Sequence, residues 1–206
     1  MAKLDNYTNN VFINCPFDVA YHKLRNAMVF AIFDCGFIPR CALEINNGGN
    51  VRFDNIKKII FESKFGVHDI SRTELDITNN LPRFNMPLEL GVFIGAARYG
   101  NAQQKNKSIL ILDNEQYRYQ KFVSDIAGQD IRSHENDEIL IITHMRNWLS
   151  GESKRTTIPG GKNIAARYER FKIDYPDICQ RAKLQSDEVT YNDFAVFVSE
   201  WLSLQP

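Results

Sequence analysis

Four short apolar runs alternate with segments of helical periodicity, and this alternation sets the strongest limit on how the chain folds. Residues 10–15 (Asn-Val-Phe-Ile-Asn-Cys) are β-branched and aromatic, and Pro16 stops them. Residues 37–43, 64–70 and 108–112 repeat the type. Between the first two runs, Ala20, Leu24, Ala27, Met28, Ala31 and Ile32 recur at i, i+3, i+4 intervals over residues 18–34. Asp18 suits the cap of that helix and Gly36 its stop. Residues 51–63 set Val51, Ile56, Ile59 and Ile60 against Arg52, Asp54, Lys57 and Lys58. Residues 86–99 form a further helix, with Pro87 tolerated in its first turn and Gly100 beyond its end. Strands alternating with helices imply a parallel sheet covered on both faces. The predicted class is α/β: a flavodoxin-like three-layer sandwich with a mostly parallel sheet of four or five strands. Pro39, unable to donate to a ladder, argues for an edge position of the second run or for a strand that starts only at Arg40.

Residues 115–126 read as a helix, 129–131 as a short fifth strand and 136–149 as an amphipathic helix. Residues 150–162, rich in Gly, Ser, Thr and Lys, read as a linker, and 163–184 and 192–204 as helices. The division expected is an α/β domain over 1–150 and a linker with a helical C-terminal extension over 151–206. Gly91, Gly95, Ala96 and Ala97 are expected to let their helix approach the sheet closely.

Lys+Arg 25 against Asp+Glu 25 leaves no net charge, which disfavours gripping a nucleic-acid backbone. The interleaved aromatic and basic residues 117–122 therefore read as one face of an amphipathic helix. No window approaches the ~20 apolar residues of a membrane span, and the first ten residues lack the apolar core of a signal peptide. Four cysteines show no CxxC pair and no zinc-like spacing with the four histidines. Buried, reduced thiols in a cytoplasmic protein are expected, with no metal site and no bound cofactor.

The chemistry concentrates in one stretch. His68-Asp69-Ile70-Ser71-Arg72 ends the third strand. A turn-rich loop over residues 76–82 then leads to Arg83-Phe84-Asn85-Met86-Pro87-Leu88-Glu89-Leu90-Gly91. Strand ends and the helix starts that follow them line the ligand crevice of parallel sheets, so Asp69, Arg72, Arg83 and Glu89 are expected around one pocket. Each residue carries two readings. Asp69 is a ligand or a loop cap, and His68 a core histidine or a base. Arg72 and Arg83 bind phosphate bidentately or pair with loop carboxylates such as Glu74 and Asp76. Asn14 contacts a ribose or caps the turn at Pro16, and Phe17 stacks on a base or fills the core.

The first strand Val11-Phe12-Ile13-Asn14, with a glutamate near the start of a later helix, resembles the TIR-like superfamily. The Asp69 strand end followed by Asn85-Met86-Pro87-Leu88-Glu89-Leu90-Gly91 also resembles the nucleoside 2-deoxyribosyltransferase family. Both resemblances imply a flavodoxin-like sheet and a catalytic glutamate, here Glu89. They imply a hydrolase or transferase acting on the N-glycosidic bond of NAD or a related nucleotide. In that reading Asp69 assists catalysis, and Asn14, Phe17, Arg72, Arg83 and Asn85 bind substrate. The TIR-like resemblance further implies defence or signalling and assembly of identical copies. It also carries the alternative of a non-catalytic nucleotide-sensing or assembly module.

Overall fold

The computed structural model describes residues 6–75 and 80–205. Asp76, a proposed partner of Arg72 or Arg83, lies outside them. Its sheet has five strands: β1 (Asn10–Asn14), β2 (Ile38–Cys41), β3 (Phe65–Asp69), β4 (Ser108–Asp113) and β5 (Ile131–Ser133). Their order is β2-β1-β3-β4-β5, and β1–β3, β3–β4 and β4–β5 pair in parallel. This is the expected flavodoxin-like α/β fold, with Pro39 on an edge strand. The register sets Asn14 beside His68 and Asp69 beside Leu112, so polar residues collect at the carboxyl ends of apolar strands.

The chain divides into two compact units. One holds Met1–Tyr21 with Arg40–Asp137; the other holds His22–Pro39 with Glu138–Pro206. The second unit is helical: α1 (His22–Asp34), α4 (Glu138–Ser153), α5 (Gly161–Ala182) and α6 (Tyr191–Ser203). The division is therefore discontinuous rather than a break near residue 150, because α1 and α4 group with the C-terminal helices. Its core is aromatic, with Phe30 5.2 Å from Tyr168, 5.5 Å from Phe171 and 6.0 Å from Trp201 between ring centres. Arg167 forks onto Asp34 at 3.0 and 2.6 Å. Gly36, at φ 79°, stops α1 as its sequence position predicts.

In the sheet unit, α2 (Arg52–Phe61) and α3 (Asn85–Tyr99) bury Ile56, Ile59, Ile60 and Phe93 against Phe12. The close helix–sheet approach comes from an unexpected glycine. A Cβ on Gly91 or Gly95 would meet nothing within 4 Å, whereas one on Gly66 of β3 would meet the Phe93 ring at 2.6 Å. The missing side chain is on the strand, and the Phe93 ring fills the space.

Residues 115–126 are not the amphipathic helix expected. They form two 3-10 turns, Arg118–Lys121 and Ser124–Ile126, entered through Tyr117 in the left-handed region at φ 64°. Arg118 is the physical reason. Its guanidinium reaches Asp113 Oδ1 at 2.8 Å, the Ile70 carbonyl at 2.8 Å and Thr73 Oγ1 at 3.2 Å, tying this segment across two strand ends.

Candidate functional site

A cavity of about 450 Å³ opens at the carboxyl end of β1, lined by Asn14, Cys15, Pro16, Phe17, Asp18, Arg52, Arg83, Asn85, Met86 and Glu89. The β2-β1-β3 order makes this the point where the chain switches direction across the sheet, the general location for ligands in open parallel sheets. Residues 15–18 leave β1, Arg52 begins α2, and residues 83–89 cover the entry to α3.

Asn14 fixes the geometry. Its Nδ2 donates to the Met86 carbonyl at 2.8 Å, so the same group must also be the donor to His68 Nδ1 at 3.0 Å. The last residue of β1 thereby pins the first turn of α3. His68 is fully buried, and burial, aided by the charge of Lys107, lowers its pKa to about 3. It is a neutral core histidine, its ring edge-on to Phe93 at 4.9 Å.

Glu89 lies one turn further along α3, half-buried. Burial pushes its carboxyl up to about 7, against the pull of Arg52. Because Glu89 sits in the second helical turn, the helix dipole, strongest within the first turn, does not hold the carboxylate ionised. Arg52 lies over the Phe17 ring, 5.6 Å from its centre. Arg83 Nη1 approaches Asp18 Oδ2 at 3.5 Å.

Of the four residues expected around one pocket, Arg83 and Glu89 line the cavity; Asp69 and Arg72 do not. Asp69 is 0% exposed and accepts bonds from Tyr21 Oη and, at 2.8 Å, the Ser71 N–H. His134 Nε2 lies 2.9 Å from its Oδ2. Asn136 N–H donates to His134 Nδ1 at 3.0 Å, which leaves Nε2 as the ring donor, facing the carboxylate. Burial alone pushes the Asp69 carboxyl up, but His134, Ser71 and Tyr21 together outweigh it and hold it below the ordinary carboxylate range. The phenol of Tyr21 is driven well up, by burial first and the Asp69 charge second. Asp69 thus anchors Tyr21, and the Tyr21 N–H bonds back to Asp18 Oδ1 at 3.1 Å on the cavity wall.

Asn14, Phe17 and Asn85, predicted to bind substrate, line the cavity together. Sequence reading missed Arg52, Cys15 and Asp18 there, and Tyr21 and His134 around Asp69. The rule that loops after parallel strands face the crevice applies equally to the β2–α2 loop, and it was the available signal for Arg52. Among the described residues, no group of three or more His, Cys, Asp or Glu can hold a metal ion. No helix there is long and apolar enough to cross a membrane. All four cysteines are buried and outside any disulfide. No protein-family model, curated protein or solved structure matches this chain.

Proposed function

We propose that this protein cleaves, or transfers at, the N-glycosidic bond of a nucleotide, with NAD or a related nucleotide as substrate. The observation that carries the reading is Glu89, a half-buried carboxylate with a pKa of about 7, facing a cavity of nucleotide-fitting size. As the bond from the anomeric carbon to the base nitrogen breaks, its electron pair leaves with the base and positive charge develops on the sugar. Glu89, ionised, stabilises that charge or bonds to the anomeric carbon as a glycosyl ester, which water or an acceptor hydroxyl then opens. Asn14 offers its amide oxygen and Asn85 its amide to ribose hydroxyls, Phe17 offers a ring face to the base, and Arg83 a guanidinium to phosphate. Asp69 acts at one remove, through Tyr21.

The test is release of free base from NAD and from a panel of nucleotides and deoxynucleosides, followed by chromatography. The expected outcome is release that Glu89→Gln lowers by at least about 100-fold. Equal release by both proteins removes the mechanism.

A second reading, an assembly module of TIR-like type, is favoured by exposed apolar side chains at the entry to α3. Leu75, Leu81, Phe84 and Leu88 are 58, 63, 60 and 56% exposed. Phe84 and Leu88 are one turn apart, and Leu75 bridges to Pro82. Light scattering over a concentration series tests it, with Phe84→Ser/Leu88→Ser as the variant expected to stay monomeric.

A further inference from the structure

Of the cavity's two arginines, Arg52 is the one without a carboxylate partner among the described residues, whereas Arg83 approaches Asp18. Its contact is with the face of the Phe17 ring. A guanidinium held by a ring in this way is attracted through its charge and spends no N–H on the ring, so its donors are kept for an oxyanion. Arg40 and Arg118, by contrast, have those donors engaged by Glu44 and by Asp113.

Arg52 also bears on Glu89, whose carboxylate it favours. The charged groups facing Glu89 in the cavity are Arg52 from α2, Arg83 from the segment before α3 and Asp18 from the loop after β1. The Cys15 thiol is a further titratable group there. An oxyanion bound by Arg52 neutralises the cation that favours the ionised Glu89 and adds a negative charge near it. Both effects favour the protonated carboxyl. By linkage, a protonated Glu89 favours the bound oxyanion.

We propose that Arg52, held by Phe17 and assisted by Arg83, recognises a phosphodiester oxyanion of the ligand in this cavity, and that Glu89 couples its binding to pH. The inference rests on reading the cavity as a nucleotide site, and it narrows the substrate class: nucleotides are taken and bare nucleosides are not. It also divides the labour within the site. Low pH favours binding, while higher pH supplies the ionised Glu89 that bond cleavage needs.

Equilibrium binding, measured by calorimetry at pH 6 and pH 8, tests the inference independently of turnover. The probes are adenosine, adenosine 5′-(methyl phosphate), whose phosphodiester does not titrate in this range, and inorganic sulfate as a free oxyanion. Expected is a preference for the phosphodiester over adenosine of at least about tenfold, reduced to about twofold or less in Arg52→Gln. For the wild type the phosphodiester binds about five- to tenfold more weakly at pH 8 than at pH 6, and Glu89→Gln removes this dependence. Sulfate binding as well as the phosphodiester assigns recognition to the oxyanion alone and overturns the narrowing to nucleotides. Equal affinity for adenosine and its phosphodiester, an unchanged preference in Arg52→Gln, or a pH dependence surviving Glu89→Gln overturns the proposal. So does the absence of binding by any probe up to about 10 mM. Absent base release with intact, Arg52-dependent binding removes the catalytic reading and leaves this one standing.

Discussion

Asn14 Nδ2 lies 3.0 Å from His68 Nδ1, and the same amide donates to the Met86 carbonyl at 2.8 Å. One side chain at the end of β1 therefore fixes the tautomer of a buried histidine and the start of the helix that carries Glu89. Both of its partners are acceptors. Asn14→Asp sets a carboxylate against two acceptors in a buried position and is expected to cost about 2–4 kcal/mol at pH 7. Part of the loss returns as pH falls and the new carboxyl gains a proton. Chemical denaturation at pH 7 and pH 5 checks this; a loss equal at both pH values contradicts it.

Glu89 makes stability depend on pH in a definite direction. Its pKa is raised from 4.5 unfolded to about 7 folded, so the native state binds the proton more tightly. Stability is therefore undiminished below the unfolded value and falls as pH rises toward the folded one. With solvent screening of a half-buried group, the loss relative to Glu89→Gln is about 1–2 kcal/mol between pH 5 and pH 8. Thermal unfolding of both proteins across that range measures it, and parallel curves would contradict the raised pKa. In turnover, the same group gives an ascending limb of the rate near pH 7.

Gly66 and Phe93 are complementary in shape. Gly66→Ala drives a methyl into the Phe93 ring, 2.6 Å from two of its carbons. The expected cost is about 1–3 kcal/mol of overpacking. Gly66→Ala/Phe93→Leu opens room for the methyl and is expected to be less destabilised than the sum of its single variants. Additive losses in denaturant titrations would show that the contact does not limit the approach of α3.

Asp69 is a buried acceptor for Tyr21 and Ser71, with His134 beside it. Asp69→Ala strands these groups without water and is expected to cost about 3–5 kcal/mol, against about 1–2 kcal/mol for Tyr21→Phe. Because the folded pKa of Asp69 is lowered, its contribution is present above the unfolded pKa of 3.8 and is lost as pH falls through the folded value. An Asp69→Asn protein should accordingly show a shallower acid-unfolding transition than the wild type. An unchanged transition would mean that the Asp69 charge contributes nothing to the anchor.

The segment carrying Arg83 and Glu89 was legible before the fold was known, since a Pro-started helix after a strand that ends in polar residues is a local pattern. The fate of Asp69 was not. A carboxylate at a strand end reads alike whether it faces a crevice or a tyrosine, and Tyr21 and His134 lie 48 residues before it and 65 after.

By itself the sequence determined the alternation of strands and helices and the stop of α1 at Gly36. It also determined the chain of groups from Arg83 to Glu89. Such features follow from periodicity and turn chemistry within a few residues. Tertiary structure alone decided that Arg52 joins Glu89 in one cavity, that Asp69 is sealed beneath Tyr21, and that α1 groups with α4, α5 and α6. It also decided that residues 115–126 fold around the Arg118 contacts instead of continuing a helix. Those outcomes depend on which distant segments compete for the same buried space and the same hydrogen-bonding groups, and local patterning carries no record of that competition.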